Sequence, residues 1–83
     1  MFRIELEAAA TGADLSSTVA VVHAAGGTEV TVVQTENKPR VEFTVEAESE
    51  RRAAGAAHHV RVRLTEATPL LVGGWVIVSI IGA

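Results

Sequence analysis

The chain has 83 residues, no cysteine and a formal net charge of -3. A chain of this length forms one domain that buries about 60 to 65% of its unfolded surface, so we expect it to gain stability from a partner or a second copy of itself. The lack of cysteine excludes disulfides and thiolate metal sites and favours a reducing, cytoplasmic setting. The negative charge argues against nucleic acid as a partner.

The first two predicted elements are a strand and a helix. Apolar residues alternate with charged ones from Phe2 to Ala8, which predicts a strand with one apolar face. A helix is predicted from about Asp14 to Ala25. Its apolar positions recur at helical spacing: Leu15, Thr18, Val19 and Val22. The helix start has two interpretations, because either Thr11 caps it with Asp14 in the answering position, or Asp14 is itself the N-cap.

A β-hairpin is predicted between Thr28 and Glu48. Valines alternate with polar residues in its first arm, and apolar residues alternate with glutamate and threonine from Val41 onwards. The polar segment from Glu36 to Pro39 separates the two arms and is typical of a turn. Both arms therefore present one apolar face that the rest of the chain must cover.

The segment from Ser49 to Glu66 has two interpretations. Ser49 is a good N-cap, and a helical stripe follows it, made of Ala53, Ala57, Val60 and Leu64. Residues 60–65 also alternate as a strand would, and Gly55 weakens a helix interior by about 1 kcal/mol. We favour one helix because the stripe continues through the alternating part, at the cost of leaving Val62 facing outward. The strand interpretation of residues 60–65 stays open.

The last segment, Trp75 to Ile81, is rich in β-branched residues and predicts a strand that is apolar on both faces. A membrane span is the alternative, but the fifteen residues from Pro69 to Ala83 are fewer than the roughly 20 that a spanning helix needs. No membrane partner is therefore expected. Strict alternation places on the face away from the helices one of two sets: Val76, Val78 and Ile80, or Trp75, Ile77 and Ile81.

The predicted order is strand, helix, strand, strand, helix, strand. This order is that of a single α+β domain with the ferredoxin-like βαββαβ arrangement, a four-stranded antiparallel sheet with two helices on one face. The first and third strands are expected at the centre and the second and fourth at the edges. The covered face is predicted to hold Phe2, Ile4, Leu6, Val30, Val32, Val41, Phe43 and Val45.

The segment from Asp14 to Val30 resembles the first helix and second strand of the ACT family of small-molecule regulatory domains. Members share the βαββαβ order and bind amino acids between paired domains, near the first loop and the start of the first helix. The resemblance implies a ligand site at Thr11, Gly12 and Asp14. The chain has Ala10-Thr11-Gly12-Ala13 where that family often has an Asp-x-Pro-Gly loop.

The residues capable of chemistry form no recognised catalytic pattern. His58 and His59 are neighbours that point about 100° apart on a helix, so we expect no metal site and no cofactor. His23 is expected at the surface near the end of the first helix. Five glutamates are expected on the uncovered face of the sheet, as a solvated surface or as an interface: Glu5, Glu7, Glu42, Glu46 and Glu48. No serine lies in a nucleophile elbow.

Two functions of different classes follow. The first is a non-catalytic interaction or assembly module that self-associates or joins a larger protein, with an interface at Trp75, Ile77, Val78 and Ile80. Its basis is an edge strand that is apolar on both faces. The second is an ACT-type domain that senses an amino acid at a dimer interface.

Overall fold

The computed structural model describes residues 1–10, 15–33, 38–69 and 71–82. Its elements follow the predicted order. They are β1 (Phe2–Ala8), α1 (Thr18–Ala24), β2 (Thr28–Val33), β3 (Arg40–Val45), α2 (Glu50–Ala67) and β4 (Trp75–Gly82). The fold is the α+β, ferredoxin-like arrangement that the sequence predicts.

The four strands form one antiparallel sheet in the order β2-β3-β1-β4. Ile4 lies opposite Phe43 at the centre of the β1–β3 pair. The central and edge positions of the strands are therefore confirmed. The sheet has two outer edges, β2 on one side and β4 on the other.

The core lies between one face of the sheet and the helices. Phe43 is fully buried there, and every residue predicted on the covered face is either buried or packed against the core. The helical stripe of α2 is buried at all four of its predicted positions, Ala53, Ala57, Val60 and Leu64. The alternation of the strands and the spacing of α2 thus determine which faces meet.

Helix α1 is shorter than predicted, because it begins at Thr18 and not near Asp14. The backbone N–H of Thr18 donates to the Leu15 carbonyl at 3.1 Å, so the chain just before α1 forms a turn. Ser17 provides no side-chain cap, and the β-branched residues of α1 are weak helix formers. Residues 11–14, which hold both proposed caps, lie outside the described residues.

The end of α1 is a Schellman motif. Gly26 has φ 102°, and the backbone N–H groups of Gly26 and Gly27 donate to the carbonyls of His23 and Val22 at 3.1 and 2.9 Å. A Cβ at Gly27 would lie 2.5 Å from Val22 Cγ1 and 3.0 Å from Phe43 Cδ2. The glycine pair therefore turns the chain and lets α1 pack closely against the sheet.

Helix α2 resolves the ambiguity of residues 60–65 in favour of the helix. Ser49 is its N-cap, and its hydroxyl accepts from the Arg52 backbone N–H at 3.2 Å. The helix continues to Ala67, and the strand interpretation is wrong. Val62 was expected to face outward, but it is partly buried.

Strand β4 departs from strict alternation at Val78. Glu5 of β1 lies opposite Ser79, and Leu6 lies opposite Ile77, so Val78 is an extra residue without an opposing residue in β1. Such a bulge changes the direction in which later side chains point. Neither set of three residues predicted by strict alternation is therefore correct.

Candidate assembly surface

The bulge sorts the side chains of β4 onto the two faces of the sheet. Trp75, Ile77 and Ile80 face the helices and belong to the core or pack against it. Val76, Val78 and Ile81 lie on the open face, where they are 52%, 50% and 60% exposed. We call these three residues, together with the outer edge of β4, the β4 surface.

Trp75 is anchored inside the domain. Its indole Nε1–H donates to Thr68 Oγ1 at 3.1 Å, and that hydroxyl donates to the Leu64 carbonyl at 2.7 Å. The Trp75 side chain is buried, and Arg61 Nη1 donates to the backbone carbonyl of Trp75 at 3.5 Å. The C-terminal end of α2 therefore fixes where β4 begins, because the buried indole has its one donor satisfied.

The structure thus separates the four residues that the sequence suggested as an interface. Trp75, Ile77 and Ile80 point into the domain, and Val78 is the member of that set that is available to a partner. Val76 and Ile81 join it instead. No sequence signal identified the bulge, since an uninterrupted apolar segment does not reveal where a strand changes face.

The two edges of the sheet differ in chemistry. Edge strand β2 carries Glu29 with φ 50° and an irregular register between Thr28 and Thr31. Arg3 Nη1 donates to the Glu29 carbonyl at 2.8 Å, and Thr44 Oγ1 donates to Glu29 Oε2 at 3.2 Å. Each edge strand has one register shift, so the difference between the edges is charge: a charged residue on an edge discourages pairing with another chain. In contrast, β4 contains no charged residue and no proline along its eight residues.

The open face beside β4 is polar. Arg40 Nη1 lies 2.9 Å from Glu5 Oε1 in an ion pair that is partly buried. Beside the first half of β4, a depression of about 250 Å³ is lined by residues that include Glu7, Lys38, Val76 and Val78. The apolar β4 surface therefore lies at the border of a charged sheet. Glu46 and Glu48, which were expected on this face, lie beyond the end of β3 and are exposed there.

The histidines lie at the helical surface. His23, His58 and His59 are exposed, and His58 Nδ1 lies 3.1 Å from Arg61 Nη2. An open groove of about 520 Å³ between α1 and α2 is lined in part by His59, Arg63 and Glu66, of which Arg63 and Glu66 form an ion pair at 3.3 Å. In the part of the chain that the structure describes, no three histidine, aspartate or glutamate residues are grouped to hold a metal ion.

The positions implied by the ACT resemblance, Thr11, Gly12 and Asp14, lie outside the described residues. Thr18 is the first residue of α1 and lies four residues after Asp14 in the sequence. It is buried, and its Oγ1 has no hydrogen-bond partner among the residues described. Within the described ranges no helix is long and apolar enough to cross a membrane.

Comparison of the chain with protein-family models, with curated proteins and with solved structures gave no match. The candidate function must therefore be argued from the chemistry of the surfaces described above.

Proposed function

We propose that this chain is a cytoplasmic, non-catalytic interaction module that assembles with a second copy of itself through the β4 surface. The observation that carries the proposal is an eight-residue, uncharged edge strand whose open face bears three half-exposed apolar side chains. Pairing with another strand satisfies the outward backbone groups of β4 and brings these side chains into contact with those of the facing strand.

Strand β4 of a second copy suits β4 better than strand β2 of a second copy does. Two β4 strands related by a twofold axis bring uncharged residues against uncharged residues, and such a closed interface stops at a dimer. Pairing of β4 with β2 would be heterologous and would propagate into a filament. The charge of Glu29 on β2 opposes that arrangement. A larger protein that contributes a strand to β4 is the competing occupant.

Amide hydrogen exchange tests this proposal at the strand itself. At tens of micromolar, we expect the β4 amides that do not bond to β1 to exchange slowly, and to exchange faster as the protein is diluted, because dissociation exposes them. The outer amides of β2 provide the matched control and should exchange rapidly at every concentration. Rapid exchange of the outer β4 amides at high concentration would rule out β4 as the interface.

The second candidate is an ACT-type domain that binds an amino acid next to α1. Its support is the shared element order and the buried hydroxyl of Thr18, which has no hydrogen-bond partner among the described residues and follows Thr11, Gly12 and Asp14 closely in the sequence.

A thermal-shift screen of the amino acids tests this candidate. A ligand at 100 times its dissociation constant should stabilise the domain by about 2.7 kcal/mol, which raises the melting temperature of a domain of this size by roughly 10 to 20 °C. The same screen with Thr18→Val, which removes the hydroxyl and keeps the shape, should lose that shift. No shift with any amino acid would remove the sensing function and leave the assembly proposal intact.

A further inference from the structure

The bulge gives β4 a pattern of faces that is the same in both directions. The helix side of β4 holds Trp75, Ile77, Ile80 and Gly82, and the open side holds Val76, Val78, Ser79 and Ile81. Read from either end of the strand, the order of faces is therefore the same. A strictly alternating strand of eight residues does not have this symmetry, because its two ends face opposite sides. In β4 the adjacent open-side residues Val78 and Ser79 form the centre of the pattern.

From this symmetry, and resting on the proposed assembly through β4, we infer the register of the dimer. The two β4 strands pair antiparallel about a twofold axis between Val78 and Ser79. The opposing residues are then Val76 with Ile81, Ile77 with Ile80, Val78 with Ser79, and Trp75 with Gly82 of the second copy. In this register all eight positions match in face, so the two sheets continue into one and all four helices lie on the same side.

A neighbouring register is disfavoured by the same pattern. Shifting the second strand by one residue places Val76 opposite Ile80, whose side chains point to opposite sides of the sheet. The core side chains of one copy would then face the open side of the other. A shift of one residue therefore loses the match along most of the strand.

The chemistry of the opposing residues also fits. Each pair is uncharged, and apolar cross-strand pairs contribute roughly 0.2 to 1 kcal/mol each. Gly82 has no side chain, so it leaves room beside the bulky Trp75. On the open side, Ile81 of the second copy lies beside Val76 and next to the depression that Val76 and Val78 help to line. The second copy thus places an apolar side chain at the edge of this depression, which is open in the single chain.

Cysteine cross-linking tests the register, because the chain has no cysteine of its own. Opposing residues of an antiparallel pair have Cα atoms about 4.5 to 5.5 Å apart, within the range of a disulfide. Val76 and Ile81 of one strand are five residues, or about 17 Å, apart, so in this register the two copies of Val76 are about 17 Å from each other and so are the two copies of Ile81. We expect Val76→Cys mixed with Ile81→Cys to give a disulfide-linked dimer on brief oxidation, whereas each variant alone does not. Both side chains are half exposed, and far-ultraviolet circular dichroism verifies that each variant is folded.

A mixture of Val76→Cys with Thr31→Cys, on the opposite edge, is the control and should stay unlinked. Light scattering of the unoxidised mixtures separates the possible failures. The register would be overturned, with assembly left in place, if the mass is that of a dimer but the Val76–Ile81 cross-link does not form. Cross-linking of either variant to itself would have the same consequence. A monomer by mass would overturn both the register and the proposed function. Cross-linking to Thr31→Cys would show a heterologous contact and would also overturn the register.

Discussion

Val78→Lys should convert the dimer into monomers and leave the domain folded. Val78 is 50% exposed in the single chain, so the longer side chain extends into water without disturbing the core. In the proposed dimer the two introduced lysines lie on either side of the twofold axis, at the centre of the interface. Two like charges about 6 Å apart at an effective dielectric constant of about 20 repel by about 3 kcal/mol, which weakens dimerisation by roughly a hundredfold.

Thr31→Lys is the matched control for this substitution. Thr31 is exposed on the open face of the opposite edge strand and lies opposite Glu42, which is a favourable neighbour for a lysine. Light scattering should give the same mass for Thr31→Lys as for the unmodified chain. If both variants dissociate equally, net charge controls assembly and the β4 surface does not. If Val78→Lys dimerises as strongly as the unmodified chain, the strand is not at the interface.

Phe43→Ala should remove most of the stability of the domain. Phe43 is fully buried at the centre of the sheet, opposite Ile4 and beneath the close approach of α1 at Gly27. Truncation of a buried phenylalanine costs about 3 to 5 kcal/mol, and a domain of this size has a total stability of roughly 4 to 12 kcal/mol. The loss removes nearly all of the stability at the lower end of this range and at least a quarter of it at the upper end.

Urea denaturation at fixed protein concentration measures this loss, with Val72→Ala as the control. Val72 is 79% exposed, so the same kind of truncation there should change the free energy of unfolding by less than about 0.5 kcal/mol. Phe43→Leu keeps part of the side-chain volume, so it should lie between the unmodified chain and Phe43→Ala. A soluble Phe43→Ala protein with an unchanged melting temperature would contradict the position of Phe43 in the core.

The sheet was predictable because its central strands have one apolar and one charged face. The alternation around Ile4 and Phe43 determines which residues face the helices, and the order of the elements then restricts the topology to a few arrangements. Helix α2 was predictable for the same reason, since its stripe has one consistent period from Ala53 to Leu64. Local pattern and tertiary packing agree in these elements.

Prediction failed where the local pattern carries no directional information. In β4 every residue from Trp75 to Val78 is apolar, so the pattern gives no indication that Val78 is a bulge. That one residue moves Ile80 to the helix side and Ile81 to the open side, and with them the composition of the candidate interface. The start of α1 failed differently, because the cap signals at Thr11 and Asp14 did not extend the helix upstream of Thr18.

The mass of the unmodified chain in solution tests self-assembly most directly. Light scattering at tens of micromolar should give twice the 8.7 kDa mass of the chain, falling towards the single mass on dilution. Trp75 emission does not distinguish the two states, because the indole is already buried within one domain. A mass of one chain at every concentration tested would show that the β4 surface is not used for self-assembly.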